Sequence, residues 1–534
     1  MSSSNTAVEE REDVDDTPSP RSPKTIALIV KVILVGLVDA LLIISFAKTV
    51  SDEWWLAAAF FVLVFVAVNF AYFTKRSLPL KYLLPGLVFL VAFQIYTMVF
   101  TGYASFTNYG SNHLGDKDAA ITSIQAQNVV PVPDSPSFPC VPIEKGGTIS
   151  MLVTDPESGV TSIGTDEGLT EVDDADLVKD GDQVVGVDGY QTLNLGTMAG
   201  NPDYDKQWKE LQVPFDEDAG TYLRSKSITQ ASLAKAGYVY DEEQDAMVST
   251  TEEGVVYKAD ETKGNFIDSA TDERLQPGWR VNVGFANYTK LLTDETLRSR
   301  FLPITAWTFF FSIVTTFLNF SLGLILALVL NDRRMRGQGI YRLLLIVPFG
   351  IPFVLSALVW KAMLNTDFGF INQVLGADVP WLTEPNLARF SVLMVNLWCS
   401  FPYFFLVCSG ALTSIPNDLK EAAFVDGASG RYAFRTVVLP LLLVATAPLL
   451  VTTFAFAFNN YTLIELLTAG GPFPGSLQEG GSTDLLINWT YRQAFGSPQQ
   501  LGLASAIAML IFVIVGTVSA YGFRLTRQLE EIGQ

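Results

Sequence analysis

Eight stretches of this chain are apolar for about twenty residues or more, near 26–47, 54–73, 80–103, 303–330, 341–364, 388–412, 439–461 and 501–523. As helices rising ~1.5 Å per residue, such stretches cover the ~30 Å hydrocarbon core of a bilayer. Hydrocarbon offers backbone N–H and C=O groups no outside partner, so only helices and closed barrels cross it. The pattern predicts an all-α polytopic membrane protein of eight helices. It excludes a soluble enzyme and a disordered chain: 49% of the 534 residues are apolar, and the mean hydropathy is +0.30. The first stretch is expected to remain as a span rather than a cleaved signal, because it is too long, contains Lys31 and Asp39, and precedes no small-residue cleavage site. Asp39, near mid-span, is expected to face other helices or carry a proton.

Positive charge sets the orientation. Lys75, Arg76 and Lys81 follow the second stretch; Arg333, Arg334, Arg336 and Arg342 the fourth; Lys420, Arg431 and Arg435 the sixth; Arg524 and Arg527 the eighth. The opposite short loops hold Lys48, Lys361, Arg389 and Arg492. The positive-inside rule then predicts a multi-pass protein of the cell (cytoplasmic) membrane with both termini cytoplasmic. Residues 104–300, between the third and fourth stretches, become an extracytoplasmic domain. Residues 111–300 hold 34 Asp and Glu against 15 Lys and Arg, which accounts for almost all of the chain's net charge of −20. An acidic surface stays solvated in strong salt, or meets a partner; composition leaves both open.

Within this insert, short β-like runs such as Thr148–Val153 and Gln183–Val187 alternate with Gly, Asp and Pro turns, predicting a mostly β domain with a few helical turns. Pro131 through Pro142 reads as a stiff connector. Residues 1–24 are rich in Ser, Pro and acid without apolar periodicity, which predicts a disordered cytoplasmic tail. Cys140 stands alone, while Cys399 and Cys408 are separated by ~13 Å of helical rise, too far to bridge. A single histidine, His113, excludes a histidine metal cluster or a His-based triad. There is no phosphate loop, metal spacing or nucleophile–base pair. No catalytic residues, metal or cofactor are expected on this chain, nor any nucleic-acid binding.

Between the sixth and seventh stretches lies a polar segment containing Glu421, Ala422, Ala423, Asp426 and Gly427, then a second helical run ending at Leu439 and Pro440. Gly427 tolerates the left-handed conformation that stops a helix, and Pro440 would lead the next membrane helix, so residues 415–440 predict a two-helix elbow. The elbow resembles the EAA loop of ABC import permeases. That family's pattern is Glu-Ala-Ala, three residues, Gly, and later an apolar-x-Leu-Pro close, supplied here by Val437 to Pro440. The resemblance implies that the elbow docks into a cytoplasmic ATPase and transmits its motion. Glu421 would bond the helix end or a basic ATPase group, and any ATP and Mg2+ would belong to that partner.

Further segments extend the likeness: Ala104–Tyr109, Phe285–Tyr288, Phe458–Ile464 and Leu467–Pro472. With the plan of three spans, an external domain and a five-span core, they resemble the larger membrane subunit of maltose/maltodextrin ABC importers (MalF type). The likeness is good over 285–527, fair over 26–109 and weak in the insert. It implies a type I ABC importer permease core in residues 301–534 behind three N-terminal helices in 25–103. It further implies a smaller MalG-type sister permease, a homodimeric ABC ATPase and an extracytoplasmic sugar-binding protein as partners in the lipid bilayer.

Asn396, Ser400 and Tyr403 fall at i, i+4, i+7 on the sixth stretch, and Thr453, Phe456 and Asn460 at i, i+3, i+7 on the seventh. Such stripes suit a sugar, which needs amides and alcohols for its hydroxyls and aromatic faces for its C–H surfaces. Spacing alone fits interhelical hydrogen bonding equally well. The resemblance puts sugar contacts at Tyr403, Phe456 and Asn460, with Asn396, Cys399, Ser400 and Thr453 nearby. It also puts an asparagine where this chain has Ala457, a departure expected to alter preference among oligosaccharide substrates. The expected function is thus a permease subunit, not an enzyme, of an ATP-driven importer for maltose/maltodextrin or related α-glucosides. The alternatives are another sugar, a polyol or glycerol phosphate as cargo, or a membrane sensor without transport; the stripes' lack of Arg and Lys argues against phosphate esters.

Overall fold

The computed structural model describes residues 23–51, 54–74, 78–133, 135–181, 183–216, 220–252, 254–331, 335–475 and 479–532. The expected tail, through residue 22, and Lys75, Arg76, Arg333 and Arg334 lie outside the described residues. The chain divides into two compact units, residues 1–100 and 101–534, so the insert groups with the C-terminal core rather than standing apart.

Six of the eight apolar stretches become helices long and apolar enough to cross a membrane: Leu28–Ser51, Pro79–Ala104, Glu295–Leu330, Pro385–Ser414, Gly430–Phe458 and Leu501–Thr526. The second forms the shorter helix Trp55–Phe73. The fifth departs from the expected single helix: Gln338–Gly350 and Phe353–Met363 meet at a bend of 92°. The cause is local. Pro352 has no N–H to donate and disfavours a helical residue before it, so Ile351 is extended at φ −86°, ψ 129°.

In the N-terminal unit, Val35, Val64, Val68, Ala71 and Leu84 form a small core. Asn69 Nδ2 donates to Asp39 Oδ1 at 3.0 Å, so the mid-span carboxyl does face a neighbouring helix. Leu41 and Leu63 stay exposed, as faces turned to lipid would.

The insert is rich in β-structure, as its alternating runs predict. A nine-stranded antiparallel sheet contains Thr148–Thr154 paired with Ser137–Lys145, joined through Gly146 and Gly147 at φ 66° and 90°. Two positive φ values in succession suit a tight hairpin turn and favour glycine. Pro139 and Pro142, expected in a connector, lie inside the Ser137–Lys145 strand, where the Pro142 carbonyl accepts from Leu193 N–H at 2.9 Å. Gln183–Val187 pairs with Leu177–Asp180, and a four-stranded meander runs from Tyr238 to Asp268. The large sheet covers a core containing Met151, Val213 and Trp208; the meander packs Met247 and Phe266 beneath the helix Lys117–Gln127. Burial pushes the Cys140 thiol up to about 12, so it acts as a small apolar core group.

In the C-terminal core, Glu295–Leu330 crosses Pro385–Ser414 at Gly323. A Cβ on Gly323 would stand 2.5 Å from Phe404 Cβ and 2.7 Å from the Phe405 nitrogen, so glycine is what permits this approach. One turn away Asn319 Nδ2 donates to Asn396 Oδ1 at 3.3 Å. Thr308, Ser312 and Thr315 donate their hydroxyl protons to carbonyls four residues back, which satisfies these buried donors within their own helix.

Candidate functional site

Two features concentrate polar or exposed groups in the helical core: the elbow and a cavity. The elbow's first arm is Asn417–Val425. It ends as the glycine predicts, with Gly427 at φ 82°. Ala428 N–H donates to the Ala423 carbonyl at 3.0 Å and Gly427 N–H to the Phe424 carbonyl at 3.1 Å, the paired bonds of a Schellman stop. Ser429 then caps the second arm, its side chain accepting from Tyr432 N–H. Glu421 is exposed, and its carboxylate makes no hydrogen bond among the described residues. Leu419, Phe424, Val425 and Tyr432 are exposed beside it.

Leu439 and Pro440 do not end the second arm. Gly430–Phe458 is one helix, widened into a π-turn over Phe434–Val438 immediately before Leu439. A proline ring clashes with the carbonyl four residues back, here that of Thr436, and the wider turn gives that carbonyl space. The elbow's second arm is therefore continuous with the following span.

The cavity, about 650 Å³, lies between the bend of the fifth stretch and the helices Pro385–Ser414 and Gly430–Phe458. Cys399, Ser400 and Tyr403 line one wall and Thr453 and Phe456 another, so five of the seven residues expected at the site from spacing and resemblance are brought together. Phe349 stacks on Tyr403 with ring centroids 6.5 Å apart. Thr453 Oγ1 donates to the Leu449 carbonyl at 2.8 Å, so its hydroxyl can only accept from a ligand. No side chain lining the cavity among the described residues carries a formal charge.

Asn396 and Asn460 fall outside the cavity lining. Asn396 is buried and accepts from Asn319 across the helix crossing. The seventh-stretch helix stops at Phe458, which ends the i, i+3, i+7 face before Asn460. Asn460 instead caps the helix Tyr461–Leu467, its Oδ1 accepting from Leu463 N–H at 3.3 Å. Ala457 is likewise turned from the cavity, buried among Trp307, Phe311 and Leu463. An asparagine there would have to hide its amide among these groups, so the expected specificity role has no support in this packing. Spacing on single helices missed the third wall, residues Pro348 to Phe353 with Ser356. The signal available was the run Pro348-Phe349-Gly350-Ile351-Pro352, which cannot continue a helix undisturbed.

Above the seventh stretch, the segment Leu467–Pro472 folds over a buried ion pair. Arg492 Nη2 meets Asp484 Oδ1, and Gly470 at φ 83° packs where a Cβ would strike both. Arg492 Nη1 also donates to the Ala469 carbonyl at 3.2 Å.

Residues 319–525 match the family described as binding-protein-dependent transport system inner membrane component. Residues 88–167 match the N-terminal of TM subunit in PBP-dependent ABC transporters. The maltose/maltodextrin transport system permease protein MalF of Escherichia coli (strain K12) is 33% identical over 480 residues, covering 85% of this chain and 88% of that one. The MalF of Klebsiella aerogenes is 32% identical over 518 residues, covering 93% and 95%. The chain belongs to the MalF-type ABC permeases. Among solved structures, a bacterial alginate ABC transporter in complex with an alginate-bound periplasmic protein aligns at 24% identity over 46% of the permease and 83% of that chain, with a TM-score of 0.40. The permease is a multi-pass membrane protein and a transport component, and membership of the family implies a partner permease, a separate ATPase and a binding protein.

Proposed function

We propose that the permease is the larger membrane subunit of an ATP-driven importer of maltose, maltodextrins or related α-glucosides. The observation that carries this reading is its 33% identity to MalF of Escherichia coli across 85% of the chain. The cavity supports it chemically. Tyr403 and Phe456 offer aromatic faces to sugar C–H groups, while Ser400 and Thr453 offer hydroxyls, with Cys399 beside them. The absence of charged side chains from the described lining favours a neutral cargo over a phosphate ester. Asn396 and Asn460 then serve the cargo indirectly, by fixing the helices that carry the contact residues.

In this reading a smaller MalG-type permease completes the pore. The elbow at Glu421, Ala422, Ala423, Asp426 and Gly427 engages a homodimeric ATPase, and Leu439 and Pro440 join that motion to the seventh span. ATP and Mg2+ are bound by the ATPase. Both termini and the elbow are cytoplasmic, and the insert meets a sugar-binding protein on the other side. The exposed Leu419, Phe424 and Val425 give the elbow an apolar surface suited to a protein cleft.

The test is the four-component complex in proteoliposomes, with ATP-dependent uptake measured for glucose, maltose, trehalose, maltotriose and glycerol phosphate. Maltose and maltotriose uptake is expected, together with its loss in Tyr403→Ala and Phe456→Ala. Import of glycerol phosphate with no import of any glucoside would overturn the reading.

A further inference from the structure

We infer that the break in the fifth apolar stretch is itself a sugar-binding subsite, where Ser356 and the first turn of Phe353–Met363 donate hydrogen bonds to oxygens of the transported saccharide. This rests on the saccharide reading above and names a third wall of the same cavity.

The break exposes backbone donors. Pro352 precedes the second helix at φ −53°, ψ 130°, with no side-chain cap. The first bond of the new helix runs from Ser356 N–H to the Pro352 carbonyl at 3.1 Å. The N–H groups of Phe353, Val354 and Leu355 therefore have no carbonyl four residues back within the helix, and none bonds another acceptor among the described residues. Idle donors of this kind are costly at membrane depth unless the backbone lines a wet or occupied cavity. Pro352 and Phe353 do line one.

Ser356 is the second observation. It is 4% exposed, it lines the cavity, and its hydroxyl has no partner among the described residues. The buried hydroxyls Thr308, Ser312, Thr315 and Thr446 all donate to the carbonyl four residues back. Ser356 does not use the Pro352 carbonyl in this way. Its hydroxyl and the helix N-terminus thus converge on one wall, with a partial positive charge from the helix dipole and no charged side chain in the described lining. Neutral donors on one side, with the aromatic rings of Tyr403 and Phe456 on other walls, match a sugar lying with C–H faces on the rings and hydroxyl or ring oxygens toward the break.

The test uses the full complex in proteoliposomes with saturating sugar-loaded binding protein, and reads sugar imported per ATP hydrolysed for maltose and its monodeoxy analogues. Ser356→Ala and Ser356→Cys, the second close to serine in size, are compared with wild type after assembled complex is quantified by size-exclusion chromatography. Both are expected to lower maltose imported per ATP roughly two- to tenfold, the worth of one hydrogen bond. One monodeoxy analogue, lacking the oxygen that Ser356 meets, is expected to be poorly imported by wild type and no worse by either variant. Unchanged maltose import in both variants, or an equal fall for every analogue, overturns the subsite while wild-type maltose uptake leaves the saccharide reading standing. A wild-type complex that imports no saccharide overturns both.

Discussion

Gly502 N–H donates to the Tyr109 carbonyl at 2.8 Å, joining the start of the last span to the segment that enters the insert. Around this bond the fit leaves no spare room. A Cβ on Gly502 would strike the Thr107 carbonyl oxygen, and one on Gly110 would stand 2.5 Å from the Gln499 carbonyl oxygen. Ser111 N–H donates to Gln499 O at 3.1 Å, and Gln499 N–H returns a bond to Ser111 Oγ at 2.7 Å. Asn287 Nδ2 adds bonds to the Ser105 and Thr107 carbonyls at 2.9 and 2.8 Å. The insert is thus clamped to the last span at its root. Gly502→Val should cost about 1–3 kcal/mol by overpacking and loosen that clamp. Binding-protein-stimulated ATP hydrolysis is expected to fall in reconstituted complex, with unstimulated hydrolysis retained. Full stimulation would show that the clamp transmits nothing.

At the elbow, Gly427→Val forces a β-branched residue to φ 82°, costing on the order of 1–2 kcal/mol. The first arm should leave its present angle. Transport is expected to drop while binding protein still docks, and Gly427→Asn, better tolerated at positive φ, should retain more activity. Equal activity of the two variants in uptake assays would argue against a conformational role for this stop.

Asn460 and Phe456 should separate in mutant behaviour. Asn460→Leu removes a helix cap worth about 1 kcal/mol and is expected to lower the thermal stability of the assembled complex, with Asn460→Asp restoring it. Phe456→Ala should leave assembly intact and reduce sugar import. Scanning fluorimetry and uptake, measured on the same preparations, distinguish the two; a purely transport-related defect in Asn460→Leu would contradict its capping role.

The insert carries a pH-sensitive tie. Lys117 Nζ lies 2.7 Å from both Asp245 Oδ2 and Glu261 Oε1 and sits over the Trp279 ring at 5.3 Å. Burial lowers the Lys117 pKa, but hydrogen bonds to Asp245 and Glu261 outweigh it and leave the group raised. The hydrogen bonds from Lys117 and Tyr240 hold the Asp245 carboxyl below its usual range. A depressed carboxyl stabilises the fold above its unfolded pKa of about 3.9 and ceases to do so as pH falls through the lower folded value; a raised lysine does the reverse above about 10.4. Lys117→Met should therefore loosen the helix Lys117–Gln127 near neutral pH and flatten its acid dependence below about pH 4. Hydrogen exchange of that helix, corrected for intrinsic rates, checks this; unchanged protection at pH 7 would refute it.

Much of this molecule follows from sequence because the governing constraints are local. Hydrocarbon obliges each long apolar run to satisfy its own backbone, so the helices at 295–330, 385–414 and 501–526 are legible as runs. Gly427 stops its helix for reasons contained in its own missing Cβ, and a short β-prone run bounded by turn residues marks Thr148–Thr154 as a strand. Periodicity also places Ser400 with Tyr403 and Thr453 with Phe456, since each pair shares a face of one helix. Periodicity fixes a residue's angle about its own axis only. Which neighbour that face meets was decided by tertiary packing: Gly323 lets two backbones approach, and Asn396 is thereby turned to Asn319 instead of the cavity. The bend at Pro352 brought Ser356 into the cavity that Tyr403 lines, and the early stop at Phe458 converted Asn460 from a stripe residue into a cap. The meeting of Ser105 with Asn287 and Tyr288, about 180 residues away, is written in no period at all, because it depends on where the folded insert returns the chain.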